Sequence, residues 1–414
     1  MTGTAATPAM AALARQLRRA QRRHQWRAAA LTAPLLVFLL VFFLWPLASL
    51  LLRAVENPEV ADALPATAAA LAHWDGKGEP PAPAYAAIVA DLRALPETAQ
   101  AGALARRLNS EAPGARSLIM SAYRAAQEWP RLSAAEAQAA LLALDERWTE
   151  TAYWQAIAKN TQRWTPDYLL AAIDLRRTVD GDITLMADEE AVFGRILWRT
   201  FEISAIVTLL ALLMGYPLAY WLSTLSERRA NLLLILVLLP FWTSVLVRIA
   251  AWIVLLQNHG VVNRWLQALG VIDEPLALLF NRTGVIIAMV HILLPFMILP
   301  LYSVMKSVPS NYLRAAVSLG SHPLAAFVRV YLPQTYPGIA AGALLVFITA
   351  IGYYVTPALL GGADDQMLSY YIAQYTNVEV NWGMACALGA VLLTATMVLF
   401  ALYRRVARGG LSLG

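Results

Sequence analysis

The residues whose types and spacing point to a function lie in a short amphipathic segment, 313–333, between two long apolar stretches. A helix that begins near Asn311 would place Ala315, Ala316 and Leu319 on one face. Small side chains on that face would allow another protein to approach closely. The chemistry that this pattern predicts is recognition of a protein partner rather than covalent catalysis.

Glycine and proline residues delimit this helix and a second one. Gly320 permits the tight turn that ends the first helix, because glycine adopts left-handed backbone conformations without steric cost. Pro323 then stops the helix, and residues 324–331 are predicted to form a second helix that ends at the membrane boundary near Pro333. Together the two helices would form a rigid knob on which a moving partner could act. An amphipathic helix resting on lipid headgroups is the alternative interpretation.

The elements that must position this segment are six long apolar runs. Hydrophobic residues make up 59% of the 414-residue chain and charged residues only 14%, against about 45–50% and about 25% in ordinary globular domains. A helix needs about 20 residues to cross a hydrocarbon core, and each run is that long. We therefore predict an all-α, polytopic membrane protein with six transmembrane helices. The runs are residues 28–52, 203–226, 232–256, 283–305, 336–363 and 383–403.

Basic residues predict the orientation of these spans. They cluster before the first run, between the second and third, between the fourth and fifth, and after the last. Alternating spans put all four clusters on one side, which is the cytoplasmic side by the positive-inside rule. Both termini are then cytoplasmic, and the net charge of +5 reflects topology rather than nucleic-acid binding.

A polar insertion of residues 54–194 separates the first two runs. It has 20 acidic and 12 basic residues, a net charge of −8, and its alanine-rich stretches have helical periodicity. Ser133 and Glu136 have the spacing of a capping box. We predict a small helical periplasmic domain, with a loosely ordered loop as the alternative. The complete predicted layout is a basic cytoplasmic tail (1–27), a first transmembrane helix (28–53), the insertion (54–194), a core of five transmembrane helices (195–405) with a cytoplasmic loop (306–336), and a cytoplasmic tail (406–414).

Several kinds of site are not expected in this chain. No set of cysteine, histidine and carboxylate residues has metal-site spacing, and no catalytic residues are predicted. Gly76-Lys77 lacks the preceding glycine of a phosphate-binding loop, so no such nucleotide-binding loop is predicted in this chain. The single cysteine, Cys386, can form no intramolecular disulfide. We expect a protein that is not an enzyme and binds no cofactor of its own.

The spacing of the knob resembles the cytoplasmic coupling loop of ABC importer permeases, Glu-Ala-Ala-x3-Gly-x9-Ile-x-Leu-Pro. Every gap matches between Arg314 and Pro333, and the resemblance extends over about residues 196–405. It implies that this loop inserts into a cleft of a cytoplasmic ABC ATPase dimer, which binds ATP and Mg. Arg314 stands where the family usually has glutamate, so the ATPase groove or the loop's internal pairing would differ. The coupling residues implied are Leu313, Arg314, Ala315, Ala316, Leu319, Gly320, Val330, Leu332 and Pro333.

Residues 238–263 and 352–372 resemble permeases of the spermidine/putrescine type. The resemblance implies an importer of the bacterial inner membrane that contains a second permease subunit and receives a polyamine from a periplasmic substrate-binding protein. The chain is expected to contact the lipid bilayer and to bind no nucleic acid. An opine, an amino-acid derivative or a small anion is the alternative cargo. A membrane-anchored sensor or scaffold with a ligand-binding outer domain is the alternative of a different class.

Aromatic side chains in the same stretches suit an organic cation. An ammonium group over an aromatic face gains about 0.5–2 kcal/mol, and acidic residues at the outer ends of the spans would attract cations. Span packing and interface anchoring explain such aromatic residues equally well. The candidate pathway residues are Phe241, Trp242, Trp252, Tyr353, Tyr354, Asp364 and Asp365.

Two further polar residues lie inside apolar runs. An arginine at membrane depth usually faces a cavity or a carboxylate. Because Arg248 would repel a polycation, we expect it to make a structural or gating pair, for instance with the partner permease. His291 is expected to be a hydrogen-bonded packing residue rather than a ligand.

Overall fold

A computed structural model describes residues 30–178 and 181–410. These residues are helical apart from loops and one antiparallel pair of short strands, β1 (Leu175–Arg177) and β2 (Ile183–Leu185). Six helices in the described residues are long and apolar enough to cross a membrane. The predicted all-α, polytopic architecture with six spans is therefore confirmed. Those spans are Ala30–Arg53, Phe193–Thr224, Val245–Ala268, Arg282–Ser307, Pro323–Gly352 and Trp382–Arg405.

The first span, α1 (Ala30–Arg53), leads into the insertion. Most of the insertion is helical, although the β1–β2 pair near its end was not predicted. Its helices are α2 (Pro58–Ala61), α3 (Pro65–Leu71), α4 (Ala82–Ala94), α5 (Thr98–Asn109), α6 (Ala115–Glu128), α7 (Ala134–Leu144), α8 (Thr151–Asn160) and α9 (Asp167–Ala171).

Two buried tryptophans lie at the centre of the insertion. Trp148 and Trp154 have no exposed surface, their ring centroids are 5.3 Å apart, and the indole N–H of Trp154 donates to the carbonyl of Trp148 over 3.0 Å. Burying a large apolar side chain contributes about 1.5–3 kcal/mol, so the insertion has a core of its own. The predicted capping box is confirmed, since Ser133 and Glu136 exchange hydrogen bonds at the start of α7.

A buried carboxylate stabilises the end of the insertion. Asp167 accepts hydrogen bonds from Arg177 over 3.0 and 3.2 Å, and its Oδ2 lies 3.7 Å from the ammonium of Lys159. Burial alone would raise the pKa of Asp167, but the bonds from Arg177 and the charge of Lys159 outweigh it and lower that pKa. The charged form is therefore favoured in the folded insertion.

The remaining helices form the membrane core. They are α10 (Phe193–Thr224), α11 (Glu227–Leu238), α12 (Val245–Leu256), α13 (Val261–Ala268), α14 (Arg282–Ser307), α15 (Asn311–Ser318), α16 (Pro323–Ala326), α17 (Leu332–Gly352), α18 (Val355–Leu360), α19 (Leu368–Asn377) and α20 (Trp382–Gly410).

Helices α10, α14 and α17 pack against one another at the centre of the core. Two glycines permit their close approach to Met297. A Cβ atom at Gly342 would lie 2.8 Å from the Met297 sulfur, and one at Gly215 would lie 3.1 Å from its Cγ. Small residues at helix crossings give membrane helices their packing energy, because lipid supplies little hydrophobic drive between helices. These three helices therefore form the rigid part of the core.

The third apolar run is not one helix, as its length suggested. Helices α11 and α12 are separated by a 3-10 turn, Leu239–Trp242, and by extended backbone at Thr243 and Ser244. Pro240 is the physical reason, since it has no N–H to donate and its ring clashes with the preceding helical turn. A short helix, α13, follows α12 along the chain.

Two ion pairs mark one end of the core, and a side-chain hydrogen bond marks the other. At the end next to the insertion, Arg282 of α14 bonds to Glu202 over 3.2 Å and to Asp365 over 3.3 Å. At the opposite end, the ammonium of Lys306 donates to the carbonyl of Leu225 over 3.2 Å. We call these the insertion end and the loop end.

Candidate functional site

The first knob helix, α15, ends in the turn that the sequence predicted. Gly320 has a φ of +91°, in the left-handed region. The N–H of Ser321 donates to the carbonyl of Ala316 over 3.1 Å, and that of Gly320 donates to Val317 over 2.9 Å. This is a Schellman motif, in which a left-handed residue satisfies the last carbonyls of a helix.

The second knob helix differs from the prediction. His322 caps α16 by accepting the N–H of Leu324 over 3.3 Å, and Pro323 is its first residue. The helix then continues through a π turn, Phe327–Tyr331, directly into α17. The expected boundary near Pro333 is therefore wrong: a π turn changes the hydrogen-bonding register just before this proline, which lacks a donor. The knob is joined to a span without a break.

The knob has an exposed apolar surface at its tip. The side chains of Leu319 and Leu324 are 89% and 67% exposed, and Ala315 and Pro333 are exposed as well. Contiguous exposed apolar residues usually mark a binding surface. The other coupling residues face the chain, since Leu313, Ala316, Val330 and Leu332 are half-buried and Leu313 packs on the membrane core.

The charged residues of the knob are all basic. Arg314 donates to the hydroxyl of Ser310 over 2.6 Å and has no carboxylate partner among the described residues. Residues 306–336 contain Lys306, Arg314 and Arg329 but no aspartate or glutamate. The absence of acidic residues can be read from the sequence. The spacing motif does not reveal it, because the motif compares single positions and not the charge of the whole segment. A partner for this surface must supply any compensating negative charge.

The candidate pathway residues fall into two groups around α12. Helix α12 packs against α14 and α18, and the indole N–H of Trp252 donates to Nδ1 of His291 over 3.3 Å. Phe241 makes an edge-to-face contact with Phe296, with centroids 5.0 Å apart. Trp242 and Tyr354 are instead exposed, with 75% and 41% of their surface accessible. The hydrogen bond expected for His291 is present, but the residue is exposed rather than packed in the core.

Arg248 lies inside the first group. Its Cζ is 6.0 Å from the centroid of the Phe241 ring, and its charge interacts with His291 and Tyr353. Two of its guanidinium nitrogens, Nε and Nη1, are buried without a hydrogen bond, and so is the hydroxyl of Tyr353. The fold thus places the positively charged Arg248 side chain among the aromatic residues that the sequence predicted to line a pathway for a cationic substrate.

The two acidic pathway residues have different surroundings. Asp365 accepts hydrogen bonds from Arg282 and from the N–H of Gly362, so its charge is already neutralised at the insertion end. Asp364 is exposed, and its backbone carbonyl accepts a hydrogen bond from Arg199. Of the pair, Asp364 is the one available to attract a cation.

The insertion packs on the start of the last span. The Tyr168 ring lies against Gly383, where an added Cβ would come within 2.4 Å of the ring carbons. Burial raises the pKa of Tyr168 to about 12, and Arg107 lies over its ring at 4.6 Å. A cleft of about 480 Å³ opens beside this contact, lined by residues that include Arg106 and Trp382. No cluster of three metal-ligating side chains is present in the part of the chain that the structure describes.

Comparison with known proteins identifies relatives of the membrane core. Residues 204–409 match the family described as binding-protein-dependent transport system inner membrane component. The spermidine/putrescine transport system permease protein PotB of Haemophilus influenzae is 39% identical over 215 residues, which are 51% of this chain and 75% of that protein. PotB of Escherichia coli K12 is 36% identical over 220 residues, 53% of this chain and 80% of that protein.

A solved structure also aligns with about half of the chain. It is the crystal structure of a bacterial alginate ABC transporter in complex with an alginate pentasaccharide-bound periplasmic protein. It covers 52% of this chain and 78% of its own, with a TM-score of 0.45 and 19% identity. The family match begins after the insertion, so residues 54–194 lie outside it.

Proposed function

The chain belongs to the family of binding-protein-dependent transport system inner membrane components, and from this premise we propose that it passes a polyamine such as spermidine or putrescine across the bacterial inner membrane. It is a multi-pass permease subunit of an ABC importer, and it is not itself an enzyme. In the proposed importer, a separate ATPase hydrolyses ATP.

The observation that carries the proposal is the knob and its rigid connection to a span. In this proposal, the exposed apolar tip around Leu319 inserts into the cleft of a cytoplasmic ATPase dimer that binds ATP and Mg. Closure of that dimer would push the knob, and α16 continues without a break into α17. Helix α17 has 21 residues, or about 32 Å at 1.5 Å per residue. It ends next to Tyr353, so movement at the loop end would reach the pathway directly.

The proposed cargo follows from the aromatic residues and the relatives. Trp242 and Tyr354 have exposed rings over which an ammonium group could pass, and Asp364 is free to attract cations at the mouth. Weak, successive contacts suit a permease, because a permease must release what it binds. The PotB relatives, at 36–39% identity, support the same class of substrate.

The remaining partners and the topology complete the proposal. A second permease subunit would pair with this chain, and a periplasmic binding protein would deliver the cargo at the insertion end. The loop end, with its basic residues, would face the cytoplasm, so both termini would be cytoplasmic and the insertion periplasmic. The contact between Tyr168 and Gly383 supports a role for the insertion as part of the surface on which the binding protein docks.

A second candidate cargo is a small anion. Arg248 favours it, because this arginine lies among the pathway aromatics while residues 228–272 contain no acidic side chain. An anion would need that charge, whereas a polyamine would need it compensated.

Reconstitution distinguishes the two cargoes. The chain, its partner permease and the ATPase would be placed in proteoliposomes with the cognate binding protein, and uptake and ATP hydrolysis measured. We expect spermidine or putrescine to stimulate both. Stimulation by an anionic or neutral solute and by neither amine would refute the polyamine cargo, while the importer would stand.

A further inference from the structure

The π turn between the knob and α17 packs against the end of α10. Two aromatic residues of the turn, Phe327 and Tyr331, stack on each other with ring centroids 5.4 Å apart. Tyr220 of α10 lies edge-on to both rings, with its centroid 5.3 Å from each, and the Tyr216 ring lies edge-on to Phe327 at 6.3 Å. We call these four residues the aromatic cluster. It joins the connection between knob and span to a second membrane helix.

The connection between the knob and α17 needs support from outside its own helix. A π turn interrupts the regular hydrogen-bonding pattern of an α-helix, and helices commonly bend at such turns. Pro333 follows the turn and donates no backbone hydrogen bond, so the pattern is interrupted again. On the knob side, α16 has only four residues. The backbone alone would therefore let the knob bend at the π turn.

The aromatic cluster supplies this support because its α10 half is fixed to the rest of the core. The Tyr216 hydroxyl lies 3.1 Å from Oγ1 of the buried Thr335 in α17, within hydrogen-bond distance. Lys306, near the end of α14, donates to the carbonyl of Leu225, just after α10, over 3.2 Å. Helices α10, α14 and α17 are thus joined to one another at the loop end. The π turn packs on this base through Tyr220.

We propose that Tyr220 is a positioning residue for energy coupling. By holding the π turn against α10, it makes the knob and the membrane core move as one body when the ATPase dimer closes. Without the Tyr220 ring, the knob bends at the π turn, and the movement of the ATPase is absorbed there instead of reaching the pathway. The proposal rests on the proposed function, which supplies the ATPase. It adds a contact with α10 that the continuity of α16 with α17 does not provide.

Substitution of Tyr220 in the reconstituted importer tests this role. Tyr220→Ala should raise the ATP hydrolysed per spermidine imported by about three- to tenfold, as expected for loss of an aromatic contact, whereas Tyr220→Phe keeps the ring and should couple normally. Phe201→Ala is the matched control, because the half-buried Phe201 also joins α10 to α17, stacking on Phe347 at 6.1 Å, but lies near the insertion end. Its coupling ratio should not change. Normal coupling in Tyr220→Ala, or equal loss in Phe201→Ala, would overturn the proposal.

A covalent link keeps the test decisive if Tyr220→Ala assembles poorly. In a Cys386→Ser background, Tyr220→Cys and Phe327→Cys together remove the ring contacts and should leave ATP hydrolysis with little import. A short bifunctional thiol reagent that joins the two cysteines should restore import, and the same reagent should restore nothing in Tyr220→Cys alone. Normal import before cross-linking, or no restoration after it, would overturn the proposal, because the two segments would then not need to move together. If spermidine is not imported by the unmodified importer, the proposed function itself fails.

Discussion

Replacement of Gly320 by alanine tests whether the shape of the knob couples the ATPase to transport. Gly320 has a φ of +91°, and a Cβ added there would meet no atom within 4 Å. The substitution therefore introduces backbone strain without a steric clash. A left-handed conformation costs a residue with a Cβ about 1–2 kcal/mol, which corresponds to a fall of about 5- to 30-fold in the population of the correctly folded turn.

The expected result is uncoupling rather than loss of the protein. We expect Gly320→Ala to insert and assemble but to import less cargo per ATP hydrolysed in proteoliposomes. Gly320→Pro should be more severe, because proline fixes φ near −65°. Gly270→Ala is the matched control: Gly270 has a φ of +67° and equally open surroundings, but it lies after α13. Normal coupling in both glycine-320 variants, or equal loss in the control, would refute the role of the turn.

Four further predictions follow from the described contacts. Arg314→Glu restores the family's usual residue, yet it should weaken ATPase binding by about tenfold because it reverses an interface charge. Unchanged co-purification of the ATPase would show that its groove is not acidic. Trp242→Ala and Tyr354→Ala should each slow polyamine uptake several-fold, as expected for loss of about 1 kcal/mol of cation–π attraction. The binding protein's affinity for the polyamine should not change. Uptake at wild-type rates would exclude these two residues from the pathway. Gly383→Val should detach the insertion from the last span, detectable as increased proteolysis of the insertion, whereas unaltered protection would contradict the contact. Asp167 has a lowered pKa in the folded insertion, so its stabilisation is present above its usual value of 3.8 and is lost as pH falls through the folded value. Asp167→Asn should therefore lower the thermal midpoint at neutral pH and flatten its acid dependence.

Features that depend only on residues close together in the sequence were predictable from the sequence. Six apolar runs predicted six spans, because the length of an uninterrupted apolar run is itself the physical requirement for crossing a bilayer. The turn at Gly320 and the capping box at Ser133 were predictable for the same reason, since their hydrogen bonds join residues at most five positions apart. The break at Pro240 is also a local feature, but the prediction of the third run rested on hydrophobic length alone and did not include it.

The sequence by itself therefore determined the membrane class, the number of spans and the position of the knob. Only the tertiary structure decided how the polar groups are used. Asp365 was a candidate cation ligand until its bond to Arg282, 83 positions away, showed that its charge is compensated. Arg248 was an isolated charge until packing placed it beside Tyr353 with two nitrogens unsatisfied. The physical reason is that hydrophobic length is a local property of the chain, whereas the compensation of a charge depends on groups that only folding brings together.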